Sequence, residues 1–109
     1  MERRRYRRVP VQLEGVFLGN AHEVEGKTID VSLGGAKLQS ELKVHPGKVI
    51  LIRLRFPGVE EPISVEEALV RWVGDRHVGV EFQNLNSAEL DELEQLIDEL
   101  DDAEGTGRA

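Results

Sequence analysis

Between residues 9 and 82 the apolar residues recur mostly at every second position, in short runs that end at glycine, proline or asparagine. A period of two is the mark of a strand with one face buried, and no helical period interrupts it. "VPVQLEGVFLG" places Val9, Val11 and Leu13 on one side of a strand. Val16 and Leu18 continue it after a phase change near Gly15, which predicts a bulge or bend. "GNAHE" reads as a turn, "KTIDVS" as a short β-branched strand and "LGG" as a breaker. "AKLQS" resumes alternation through Ala36 and Leu38. Beyond the turn at "HPGK", "VILIRLRF" puts Ile50, Ile52, Leu54 and Phe56 on one face and Arg53 and Arg55 on the other. "ISVEEALVRWV" and "HVGVEF" form two further strands around "GDR". Such a series predicts a small antiparallel barrel or sandwich of about six strands.

The last fifth of the chain changes period. Asn86 or Ser87 can cap a helix, with Glu89 three residues after Asn86. Leu90, Leu93, Leu96, Ile97 and Leu100 then form a stripe at helical spacing. This predicts an amphipathic helix of about four turns, its stripe buried against the barrel. The chain of 109 residues is read as one domain. Residues 1–8 form an arginine-rich mobile arm, 9–100 the barrel with its helix, and 101–109 a disordered acidic tail.

Charge is unevenly distributed. Arg3, Arg4, Arg5, Arg7 and Arg8 stand against a single Glu2 at the start, whereas the whole chain has a formal net charge of -7. From residue 87 to 104 there are nine acids and no Lys or Arg. The basic cluster is therefore a local device, without the wide basic face that a nucleic-acid polymer requires. There is no cysteine, which excludes disulfides and thiolate chemistry. No apolar run approaches the roughly 20 residues of a membrane span, and the start lacks a signal-peptide core. A cytoplasmic protein with no membrane association is expected.

Catalytic readings find no constellation. His22, His45 and His77 lie in or beside predicted turns without metal-ligand spacing. Ser32 has no neighbouring His to activate it. Glu60–Glu61 and Glu66–Glu67 read as solvated pairs. No enzyme activity, metal or cofactor is expected.

Two stretches carry binding chemistry. The first is "RRRYRR", since an arginine fork can bind phosphate or the guanine O6/N7 edge through two parallel hydrogen bonds. A solubilising basic tail is the alternative. The second is "DVSLGG", where Asp30 can accept from guanine N–H groups and Ser32 can donate to a phosphate. Gly34 and Gly35 there allow a close backbone approach. An ordinary Asp/Ser/Gly turn is the alternative. Folding the first run back on "EVEGKTIDVS" about Gly19–Asn20 gives paired residues an index sum near 39. Arg8 then falls opposite Asp30 or Val31, so the two stretches converge.

These residues resemble the PilZ domain family. "RRRYRRVPV" is similar to the family's RxxxR motif, with Arg4 and Arg8 as the motif arginines and Arg3 preceding them. "DVSLGG" is similar to its DxSxxG motif through Asp30, Ser32 and Gly35. "VRWV…HVGVEF" and the closing helix also look like the family's ending, so the resemblance covers about residues 2–100. It implies a six-stranded antiparallel β-barrel with a C-terminal helix packed on it. It also implies a non-catalytic bacterial receptor for the second messenger cyclic di-GMP, relaying the signal to a partner protein. Carried over, Arg4 and Arg8 clamp guanine and phosphate, Asp30 and Ser32 bind guanine and ribose-phosphate, and Gly35 permits close approach. Arg3 adds stacking, which would make two messengers per chain plausible. Trp72, the only tryptophan, either packs on a base or ribose or is a partly buried barrel residue. Competing readings are a nucleotide-independent PilZ-type adaptor and a nucleic-acid-binding β-barrel. The intact motif residues argue against the adaptor.

Overall fold

The computed structural model describes residues 8–19 and 22–106, with side chains as far as residue 100. Among the described residues seven strands are followed by one helix: β1 (Val9–Pro10), β2 (Glu14–Gly19), β3 (His22–Val31), β4 (Gly35–Ser40), β5 (Val49–Leu54), β6 (Ile63–Gly74), β7 (His77–Phe82) and α1 (Ser87–Thr106). The order across the sheet is β1-β3-β2-β5-β6-β7-β4, and β4 also pairs with β3. That pairing closes six antiparallel strands into a barrel, with β1 as a short addition on β3. Closure leaves the six strands without a long free edge.

The interior is built as the alternation predicts over most of its length. Ala36, Leu38, Ile50, Ile52, Leu54, Phe56, Val65, Val70 and Val78 are all buried. Arg53 and Arg55 are exposed. Irregular registers between Thr28 and Asp30, Ile50 and Ile52, and Val70 and Trp72 bend the strands around the closed sheet.

The first hairpin departs from the sequence reading. The inward phase runs through Leu13, Gly15, Phe17 and Gly19, and Val16 and Leu18 lie on the outer, half-exposed face. The inferred phase change at Gly15 is absent. Gly15 and Gly26 are directly paired. A Cβ on either would press on the Phe17 ring, at 3.0 Å and 2.7 Å respectively. Two inward glycines around one aromatic give an inverted hydropathy signal, which is why the outer valine and leucine looked like the core face. The supposed turn "GNAHE" is also shorter than expected, because His22 and Glu23 already belong to β3. Pairs from Glu14↔Lys27 to Gly19↔His22 have an index sum of 41, while Val9↔Val31 and Pro10↔Asp30 have 40. The register is thus one or two residues from the sum of 39, and the first run is divided into two strands.

Helix α1 begins at a reciprocal cap. The Asn86 amide donates to Glu89 Oε1 (2.9 Å) and the Glu89 amide to Asn86 Oδ1 (2.8 Å). Leu93 and Ile97 are buried in the core, and Leu96 and Leu100 pack at its edge. The helix lies against β1, so its stripe helps fix the strand that leads in from the arginine arm. Its backbone continues to Thr106, into the stretch read as a tail. No described helix is long and apolar enough to cross a membrane. The arm expected to be mobile, apart from Arg8, lies outside the described residues.

Candidate ligand-binding site

The site starts from a stitched loop. Residues 11–13 leave the ladder between β1 and β2, yet their backbone groups are satisfied by β3. The Val11 amide donates to the Ile29 carbonyl (3.1 Å), and the Thr28 amide to that of Leu13 (2.9 Å). The fully buried Thr28 hydroxyl donates to the Val11 carbonyl (2.6 Å) and accepts from the Leu13 amide (2.8 Å). One side chain therefore satisfies two backbone groups on opposite sides of the loop. The stitching holds Val9 opposite Val31 and delivers Arg8 to the end of β3.

Arg8 meets Asp30 there. Its Nε lies 3.3 Å from Asp30 Oδ1, with the side chains 51% and 21% exposed. The approach lacks hydrogen-bond alignment, and Oδ1, shielded from solvent, receives no hydrogen bond from the described residues. A carboxylate oxygen in that state retains unused acceptor capacity beside a guanidinium. The two sequence stretches thus converge as the hairpin argument expected, although Arg8 lies one residue beyond the last paired position.

The turn after β3 is organised by Ser32, which is 2% exposed. Its hydroxyl accepts from the Gly34 and Gly35 amides (3.2 Å each) and donates to the Gly35 carbonyl (3.3 Å). The Ser32 amide also donates to that carbonyl (2.8 Å), and the Phe82 amide ties the Gly34 carbonyl to β7 (2.9 Å). In this structure the hydroxyl is committed to shaping the turn. A Cβ on Gly35 would collide with the Val80 carbonyl, so the β4–β7 approach already requires a glycine there. Above the turn lies an open depression of about 490 Å³, lined by Arg8, Leu33, Gly34, Glu81, Leu85 and Leu90 among others.

Register places the remaining candidate. Pro10 pairs with Asp30, Asp30 with Lys37, Lys37 with Gly79, and Gly79 with Trp72. These residues form one row across the outside of the barrel. Trp72 is 43% exposed and lies over Gly79, where any Cβ would collide with the indole. Lys37 Nζ sits 5.8 Å from the ring centroid, within cation–π range. Trp72 stands three strand spacings, about 14 Å, from Asp30, so the row has room for an extended ligand between them. Arg3 and Arg4 lie outside the described residues.

The sequence reading missed Thr28 and Lys37. Lys37 was recoverable, because it is the outward residue between the inward Ala36 and Leu38. Thr28 was not, since a buried threonine in a β-branched run gives no sign that its hydroxyl spans a loop.

Three comparisons bear on this arrangement. A family model described as the PilZ domain matches residues 2–99. No curated protein matches the chain. Among solved structures, the Bacillus subtilis inhibitor of motility MotI/DgrA superposes with a TM-score of 0.76 at 19% identity, covering 100% of this chain and 55% of that one. This chain thus spans little more than half of that protein. The PilZ domain of CeSA from a cellulose-synthesizing bacterium gives 0.71 at 20% identity, covering 87% of this chain and 98% of that one. At such identities the likeness establishes the fold, and the family rests on the model matched along nearly the whole length. The chain belongs to the PilZ domain family, a family of cyclic di-GMP-binding domains.

Proposed function

We propose that this protein is a non-catalytic receptor that binds cyclic di-GMP on the outer face of the barrel, between the arginine arm and β3. The observation that carries the reading is the Asp30 carboxylate, whose shielded Oδ1 has no hydrogen-bond donor among the described residues although Arg8 stands 3.3 Å away. A guanine presents N–H donors on one edge and the O6 and N7 acceptors on another. Asp30 satisfies the first and an arginine fork the second. Arg4 and Arg3, on the arm, supply the further contacts to phosphate and base that RxxxR implies. Ser32 and Gly35 set the turn against which the ligand rests, and Trp72 offers a ring farther along the same row. Ordering the arm over the ligand changes the surface offered to a partner protein, which is how a domain without catalysis passes on the signal.

Titration calorimetry with cyclic di-GMP, GMP, GTP and cyclic AMP tests this. The expected result is micromolar or tighter binding of cyclic di-GMP alone, weakened at least ~10-fold in Asp30→Ala, as for loss of a charge-assisted contact. Absence of binding at ~100 μM cyclic di-GMP, far above a micromolar Kd, would reject the receptor reading and favour the nucleotide-independent adaptor.

A further inference from the structure

We infer that Glu81 is a second base-reading carboxylate, and that the depression lined by Arg8 and Glu81 is a guanine subsite distinct from the one at Asp30. The inference rests on the receptor reading above and extends it to a residue outside both motifs. Glu81 pairs with Gly35 across β4 and β7, so it stands directly beside the turn that Ser32 organises. Gly35 has no side chain to cover it. Arg71 holds Glu81 from the far side, its Nη1 3.1 Å from Oε1. That contact fixes the carboxylate without engaging Oε2.

The depression itself has the chemistry of a base slot. Arg8 and Glu81 both line it, together with Gly34 and the apolar residues Leu33, Leu85 and Leu90. A flat heterocycle needs apolar walls with a few convergent polar groups. The lining thus holds one guanidinium and one carboxylate, and guanine has a use for each. Its N1–H and N2–H₂ donors suit a carboxylate, and its O6 and N7 acceptors suit a guanidinium. Adenine would bring its N1 lone pair against the carboxylate, so Glu81 selects against it. Arg8 pairs with Asp30 and also lines the depression that Glu81 lines, so one arginine serves both positions. Two guanine positions sharing one arginine match a ligand that carries two guanines.

The test is a calorimetric titration of Glu81→Gln and the unaltered protein with cyclic di-GMP and cyclic di-AMP. The substitution conserves shape on a side chain 49% exposed, and an unchanged melting curve will verify that folding is intact. We expect Glu81→Gln to weaken cyclic di-GMP at least ~10-fold and to narrow the preference for guanine over adenine by a similar factor. A purely structural loss of the Arg71 contact would lower both affinities in proportion and leave that preference unchanged, which would overturn the inference. Methyl NMR provides a second readout, with the Leu85 and Leu90 methyls shifting on addition of cyclic di-GMP. Unaltered protein that binds while Glu81→Gln binds equally well with the same preference would refute the subsite and leave the receptor reading intact. Unaltered protein that binds neither dinucleotide would refute both.

Discussion

Replacing Thr28 by valine should damage the fold and the site together. The substitution keeps the shape of a fully buried side chain and removes only its hydroxyl. That hydroxyl makes two hydrogen bonds, to the Val11 carbonyl at 2.6 Å and from the Leu13 amide at 2.8 Å. Each is worth ~1 kcal/mol net, and a buried partner left unsatisfied costs about 1–3 kcal/mol. Leu13 is 3% exposed, so water cannot readily replace the lost partner. The two bonds together should therefore cost about 2–4 kcal/mol. For a domain of this length each kcal/mol lowers the melting temperature by roughly 4 °C, a fall of about 8–16 °C. Thermal and urea unfolding followed by circular dichroism measure it. Because the same loop sets the approach of Arg8 to Asp30, affinity for cyclic di-GMP should also fall, by roughly 3–10-fold, since each tenfold corresponds to 1.4 kcal/mol. A variant within ~0.5 kcal/mol of the unaltered protein, the range of neutral surface substitutions, would show that the stitching contributes nothing. A destabilised variant with unchanged affinity would show that the stitching does not position the arginine.

Three further substitutions separate binding from stability. Arg8→Ala should lower cyclic di-GMP affinity at least ~10-fold with little change in melting temperature, because the side chain is half exposed; a calorimetric titration beside a melting curve checks both. Leu93→Ala should do the reverse, losing roughly 2–5 kcal/mol of stability in urea unfolding as a large-to-small change at a buried position. Gly35→Ala should destabilise the free protein, because its Cβ meets the Val80 carbonyl where β4 and β7 approach. An equally stable Gly35→Ala that no longer binds would instead assign this glycine to the ligand alone.

The legible parts of the fold were those where hydropathy and geometry agree. In β5 the alternation of Ile50, Ile52 and Leu54 with Arg53 has one solution, and the structure adopts it. The reciprocal cap of Asn86 and Glu89 likewise announces itself locally. The first hairpin was misread because Gly15 and Gly26 contribute space rather than hydrophobicity, leaving Phe17 as the sole marker of the inner face of β2. At the site, the juxtaposition of Arg8 and Asp30 was accessible because a register argument tolerates an error of one residue when an arginine bridges the difference. The position of Ser32 was not, because its residue type suits both a ligand contact and a turn, and only the three-dimensional turn shows its hydroxyl engaged. Trp72 was equally ambiguous, since a bulge after Val70 determines which face it takes.

The most direct measurement of the central claim is a titration of ¹⁵N-labelled protein with cyclic di-GMP, followed by amide chemical shifts. Saturable shifts should concentrate at Val9 and from Asp30 to Gly35, while Val16, Leu18 and Leu51 on the opposite outer face of the barrel remain in place. An unchanged spectrum at saturating ligand, or shifts confined to that opposite face, would contradict a receptor built around Arg8 and Asp30.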